Sequence, residues 1–209
     1  LRLLRKLNRF SEDLDFDSIN LTATEINQLV KTVVKSLVAE KIDVVLYYNK
    51  TDHRDYFELR FPTLLFNLGL SQSNEEKLVI KLDFENWWQG QNRELVFLNR
   101  YGLMTNIVTK STDQVIVEKL TAYLKRRETQ PRDIYDIVWL VTNGAKVDFE
   151  FAQKNKLSAN LVQLAQNKFI HEKKHLNTFK TKLVPFLLDE KDTHKLDFFE
   201  QVLAELRRG

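Results

Sequence analysis

The sequence predicts an α+β protein whose strands lie before about residue 110 and whose later half is helical. Three observations carry that prediction. Acidic and apolar residues alternate with the period of a β-strand across residues 9–17, read as Arg-Phe-Ser-Glu-Asp-Leu-Asp-Phe-Asp. Runs rich in β-branched and aromatic residues follow at 42–48, 56–61 and 77–84, separated by polar turns at 49–54 and 71–76. From Thr112 onward only helical spacings recur.

Taken in order, residues 1–7 form a helix-like run with no capping residue, and the chain begins without a methionine, so further sequence is expected upstream of Leu1. In the strand at 9–17 one face carries Arg9, Ser11, Asp13, Asp15 and Asp17. The other carries Phe10, Leu14 and Phe16, expected to anchor it, with Glu12 as the polar exception. Thr22 or Thr24 can cap a helix running to about Glu40, whose stripe is Ile26, Leu29, Val30, Val33, Val34 and Leu37. After the three strands a weaker pair is expected at 94–98 and 106–108. A helix at 115–127 is followed by one that Pro131 opens and Asn143-Gly144 closes. Four more helical patterns occupy roughly 149–155, 158–175, 176–188 and 193–207. These shifts place the expected domain boundary between residues 110 and 111.

Bulk composition narrows the class. At 209 residues with 43% hydrophobic and 29% charged residues, the chain has enough apolar material for a real core. There is no cysteine, which excludes a disulfide framework and thiolate metal sites. No stretch approaches the roughly 20 apolar residues that span a bilayer, and no signal peptide is visible; the expectation is a cytoplasmic protein without a membrane partner. The net charge is +3, with the basic excess in the second half.

Four features can carry chemistry. Three aspartates on one strand face repel unless a cation sits among them, so Asp13 and Asp15 fit a two-carboxylate Mg²⁺ site; the same pattern fits an amphipathic strand with a wet acidic face. Asp83 alternates with Leu78, Ile80, Leu82 and Phe84 on a second strand, facing away from the core with Lys81 and Glu85. A carboxylate there, opposite an Asp-x-Asp strand, is what two-metal phosphoryl transfer requires. Lys119 lies among Val115, Ile116, Leu120 and Tyr123, as a cation at a cleft edge or as a snorkelling lysine. Arg132, Asp133 and Asp136 share a helix face, where Arg132 and Asp136 four residues apart can form an ordinary surface pair. Of the histidines, His53, His171, His175 and His194 make no metal-spaced set. Trp87-Trp88 can stack a base or serve as a loop anchor.

Together these strings resemble the nucleotidyl transferase AbiEii/AbiGii toxin family, a branch of the polymerase-β-like nucleotidyltransferase superfamily. The likeness lies in Leu3-Leu4 through Asn8-Arg9-Phe10-Ser11-Glu12-Asp13-Leu14-Asp15-Phe16, in Glu118-Lys119-Leu120 with Ala122, and in Pro131-Arg132-Asp133-Ile134-Tyr135-Asp136. It covers about the first 140 residues. The resemblance implies a nucleotidyltransferase core with a mixed sheet, followed by a helical domain. It implies that Ser11 and Asp13 belong to the nucleotide and metal motif, with Asp15 and Asp83 as the other carboxylates holding Mg²⁺. Lys119 takes the place of the phosphate-binding lysine, and Asp133 or Asp136 that of the last acidic motif, with Arg132 beside it. Such proteins are commonly toxins of toxin–antitoxin systems, some linked to phage defence. Some transfer a nucleotide from a nucleoside triphosphate (NTP) to the acceptor end of tRNA.

One departure stands out. The family places a Gly-Gly or Gly-Ser pair about ten residues before the Asp-x-Asp, where backbone can approach a triphosphate; no such pair is present in these residues. It is expected upstream of Leu1, or else the chain is inactive. An RNA acceptor also requires a basic track, for which residues 1–10, the run Lys125, Arg126 and Arg127, and the lysine-rich segment 146–182 are candidates. Two other functions use the same residues: a non-catalytic nucleotide- or RNA-binding protein, and a phosphotransferase acting on a protein or small molecule.

Overall fold

A computed structural model describes residues 1–11, 13–51 and 54–207. Glu12 and His53 therefore lie outside the described residues. The chain forms two compact units, one of Ser11–Trp88 and one that joins Leu1–Phe10 to Gln89–Gly209. The second unit opens with α1 (Arg2–Arg5), a single turn that ends where Lys6 turns left-handed at φ 64°.

The unit Ser11–Trp88 contains β1 (Asp13–Asp17), α2 (Ala23–Ala39), β2 (Val45–Thr51), β3 (Arg54–Phe61), the short α3 (Leu64–Asn67) and β4 (Leu78–Glu85). Its sheet has the order β1-β4-β3-β2, with β1 parallel to β4 and the other neighbours antiparallel. A capping box starts α2: the Thr22 hydroxyl accepts from the Glu25 N–H, while the Glu25 carboxylate accepts from the Thr22 N–H. The helix ends in a Schellman arrangement, with Ile42 N–H donating to Leu37 O at 3.0 Å and Lys41 N–H to Val38 O at 2.9 Å. This places Lys41 at φ 62°, where a side chain is strained. Lys41→Gly is therefore expected to raise the unfolding free energy by about 1 kcal/mol, read from the midpoint of a urea titration.

Ile26 and Val30 of α2 bury against Phe57, Leu59, Phe61 and Leu82, with Leu78, Ile80 and Phe84 packed around them. Alternation along β4 thus turns its apolar residues to α2 and leaves Lys81, Asp83 and Glu85 on the opposite face, as the sequence predicts. The first strand differs from expectation. It starts at Asp13 instead of Arg9, and Leu14 and Phe16 are 42% and 44% exposed. The cause is its place at the sheet edge, with a neighbour on one side only; Phe16 still stacks on Phe84 at 5.1 Å. Arg9 and Phe10 belong to the other unit, where Arg9 bridges to Leu187 and Phe10 N–H donates to Phe186 O at 2.7 Å.

In that other unit β5 (Arg93–Arg100) and β6 (Leu103–Lys110) form a hairpin longer than the expected pair of strands. Tyr101 and Gly102, at φ 54° and 77°, make the two-residue turn that lets pairing continue to the tip. The hairpin is a separate two-stranded sheet, and Arg5 ties α1 to it through Glu94 and Lys110 O. These contacts put residues 1–10 and the hairpin with the helices, so the division by packing falls elsewhere than at residue 110.

The helices are α4 (Thr112–Lys125), α5 (Pro131–Thr142), α6 (Phe149–Lys154), α7 (Leu161–Glu172), α8 (Leu176–Leu183) and α9 (Phe199–Leu206). Ser111 caps α4 and Pro131 opens α5. The expected helices at 176–188 and 193–207 are interrupted, because Pro185 lacks the N–H that would continue α8 and 3₁₀ turns take over at Val184–Phe186 and Glu190–Phe198. The centre of the unit is α5, whose Ile134, Ile137 and Leu140 are fully buried, as are Leu120 of α4 and Phe199 of α9.

Candidate functional site

In the unit Ser11–Trp88 the register of two parallel strands aligns the predicted carboxylates. Asp13 pairs with Lys81, Asp15 with Asp83 and Asp17 with Glu85. Neighbours in register on adjacent strands, about 4.8 Å apart, project to one side. Asp15 and Asp83 therefore form a like-charged rung, flanked by the opposite-charged rung of Asp13 and Lys81. Across β3 the next residue is Tyr56, whose hydroxyl accepts from Asn49 Nδ2 at 2.7 Å. Asp83 is buried and Asp15 exposed, so the rung runs from the sheet interior to its open edge. The Ser11 hydroxyl donates to Asp13 O at 3.4 Å and is exposed.

Among the described residues no three His, Cys, Asp or Glu side chains are grouped so that they could hold a metal ion. Mg²⁺ does not need three, since it is usually held by one or two carboxylates together with substrate phosphates and water. Hard oxygens on Asp15 and Asp83, with Asp13 beside them, fit such an ion chemically. Trp87 and Trp88, left by the sequence as base-stacker or loop anchor, stack on each other at 3.9 Å, with Trp88 buried.

The remaining candidates gather in the other unit around a cluster the sequence did not foresee. Arg9 reaches Asp136 with two bonds, Nε to Oδ1 at 2.6 Å and Nη2 to Oδ2 at 2.7 Å. Lys119 of α4 stands 2.8 Å from Asp136 Oδ2 and 3.9 Å from Asp133 Oδ1. Arg126, just past α4, lies 3.2 Å from Asp133 Oδ2, an ion pair by distance but not aligned as a hydrogen bond, so that buried oxygen accepts none. Asp133, Asp136 and Arg9 are all buried. This corrects two expectations. Asp136 is no surface partner of Arg132 but a core carboxylate held by Arg9 and Lys119, and Arg9 is not on a wet strand face. Arg132 lies over the Phe186 ring at 5.4 Å.

Burial pushes the Asp136 carboxyl up, but Lys119 and Arg9 together outweigh it and hold the group below the ordinary carboxylate range. At Asp133 burial prevails over Lys119 and Arg126, with Asp136 adding repulsion, and the carboxyl is raised. Burial alone would lower the Arg9 guanidinium, yet its hydrogen bonds to Asp136 leave it raised. Next to this cluster the Tyr135 hydroxyl lies 2.9 Å from Asp192 Oδ2 and 3.1 Å from Asn8 O, which fastens the residue preceding Arg9.

The basic segments fare differently. Lys125, Arg126 and Arg127 are exposed at the end of α4, although Arg126 is engaged with Asp133. In the lysine-rich segment Lys154 pairs with Glu150, Lys173 with Glu200 and Lys180 with Asp197, while Lys168 donates to Tyr123 O at 2.5 Å. Those four lysines have partners within their unit, although Lys154 and Lys173 stay more than half exposed.

Fold and site together define a mixed α/β protein that presents a carboxylate rung on one unit and a buried Arg–Asp–Lys cluster on the other. The sequence model of the family described as "Nucleotidyl transferase AbiEii toxin, Type IV TA system" matches residues 1–205, and the chain belongs to that family. The match spans both units and extends well past the motifs. Family membership implies a nucleotide substrate and an antitoxin partner. No curated protein matches the chain. Among the described residues no helix is long and apolar enough to cross a membrane.

Proposed function

We propose that this chain transfers a nucleoside monophosphate from an NTP to a hydroxyl of an RNA acceptor, the tRNA 3′ end being the best fit. The observation that supports the reading most is the in-register pairing of Asp15 with Asp83 beside Asp13. Asp13, Asp15 and Asp83 would hold Mg²⁺, which supplies Lewis-acid charge to the phosphate oxygens when bound. In the transfer an acceptor oxygen bonds to the α-phosphorus, the bond to the bridging oxygen breaks, and pyrophosphate leaves. Asp83 takes up the acceptor proton. Ser11 donates to a phosphate oxygen. Lys119 contributes positive charge toward the triphosphate, held in place by Asp136, while Arg132 lines the nucleotide-binding part of the helical unit and the buried Asp133 backs it by facing Lys119 and Arg126.

Incubation with α-³²P or γ-³²P triphosphates, Mg²⁺ and total RNA tests the reading. RNA labelled from the α position is expected. A γ-labelled protein or small molecule would point to a phosphotransferase, and no label to a binding protein. Asp13→Ala is expected to abolish RNA labelling and toxicity while far-ultraviolet circular dichroism stays that of the parent. For the RNA track, Lys125→Ala/Arg127→Ala is expected to weaken tRNA labelling with nucleotide affinity kept. Arg126 is left in place there because its loss would strip Asp133 of its nearest cation.

A further inference from the structure

Among the described residues Arg9 is the only buried cation. Taking a guanidinium out of water is costly and needs compensation, which Asp136 supplies through two bonds. Asp136 carries a single negative charge and shares it with a second cation, Lys119. Were Lys119 its only partner, the pair would be neutral and Lys119 would have little charge left for an anion. With Arg9 present, three cations (Arg9, Lys119, Arg126) face two carboxylates (Asp133, Asp136), an excess of one positive charge. Arg132 also acts on Asp133, equally in every comparison below.

Burial decides where that excess is felt. The Arg9 side chain is 7% exposed, whereas those of Lys119 and Arg126 are 26% and 40%, so a ligand meets the excess at Lys119 and Arg126 and not at Arg9 itself. Within the reading of Lys119 as the triphosphate lysine, we infer that Arg9 is a positioning residue: it neutralises Asp136, so that Asp136 can hold Lys119 in place without cancelling its charge. The device separates holding from neutralising, which a single Lys–Asp pair cannot do.

A structural role and a charge-balancing role predict opposite results. Binding of inorganic triphosphate to the full chain is measured by calorimetry at fixed ionic strength, with the unfolding midpoint of each variant. Arg9→Met removes the excess charge and is expected to weaken binding about tenfold. Asp136→Asn raises the excess to two; binding is expected to be at least as tight as in the parent although the midpoint falls. Arg9→Met/Asp136→Asn restores an excess of one and is expected to bind within about threefold of the parent. Parallel loss of binding and midpoint in both single variants would overturn the inference. If Asp136→Asn does not fold, the double variant decides, and no recovery over Arg9→Met overturns it. Unchanged binding in Lys119→Met would instead remove the reading of Lys119, and the inference with it.

Discussion

Asp15→Asn is expected to lower nucleotide transfer by on the order of 10³-fold while leaving the protein as stable as before, or slightly more so. The two effects have one origin. Asp15 sits in register with Asp83, and like charges directly opposite each other on neighbouring strands destabilise a sheet. Asparagine has the same shape and removes the repulsion, so the unfolding free energy should rise by about 0.2–1 kcal/mol. The same change withdraws one of the oxygens on which a hard cation depends. A variant that loses both activity and stability would show that Asp15 holds the fold together and that the rung is not an ion site. The exposure of Asp15 argues against that outcome, since an exposed carboxylate contributes little to packing.

The second large effect lies in the helical unit. Asp136→Ala strands Arg9 and Lys119 without their shared counter-ion, and breaking one member of a buried pair costs about 3–5 kcal/mol. Because a domain of this kind has only about 5–15 kcal/mol in hand, the variant should melt far below the parent. Its acid behaviour should change too. Asp136 is depressed in the folded state, so its contribution is complete above the unfolded carboxylate range and is lost as pH falls toward the folded value. Asp133 has the opposite sign: its carboxyl is raised, the cost of ionising it is present at neutral pH, and that cost is relieved as pH falls through the raised value. Mild acid should therefore relieve strain at Asp133 before stronger acid removes the stabilisation at Asp136. Urea titrations at a series of pH values check this, and Asp136→Ala should lack the stronger-acid loss.

Much of this was legible from residue pattern. Period-2 alternation in β4 correctly assigned Leu82 and Asp83 to opposite faces, and Thr22 with Glu25 announced the start of α2. The carboxylates were legible as candidates because three like charges on one face of a strand are physically conspicuous. What period alone could not show was a change of partner in mid-pattern. Residues 9–17 alternate without interruption, yet Arg9 and Phe10 pair with Leu187 and Phe186 while Asp13 onward pairs with β4. Alternation reports which residues share a face, not which strand lies alongside. For the same reason Asp136 read as half of a local i,i+4 pair with Arg132, when its partners come from residue 9 and from α4. A short cue was present: Arg9 stands beside the Asp-x-Asp motif, and Asp136 lies in an otherwise apolar stretch of α5, where an ionised group requires a cation from elsewhere.

The path of the chain has a consequence for its synthesis. The helical unit is discontinuous, taking residues 1–10 from one end and everything after residue 88 from the other. Arg9 is separated from Asp136 by 127 positions, and Leu187 lies farther still along the chain. A chain emerging from the ribosome must therefore release residues 1–10 long before their partners exist, whereas the unit Ser11–Trp88 is complete once β4 has left the tunnel. Loop closure over such a separation is slow compared with local helix formation, so the unit that contains residues 1–10 matures after Ser11–Trp88. Pulse-labelled chains should accordingly acquire protease resistance in Ser11–Trp88 first, and residues 1–10 should remain cleavable until synthesis has passed Leu187.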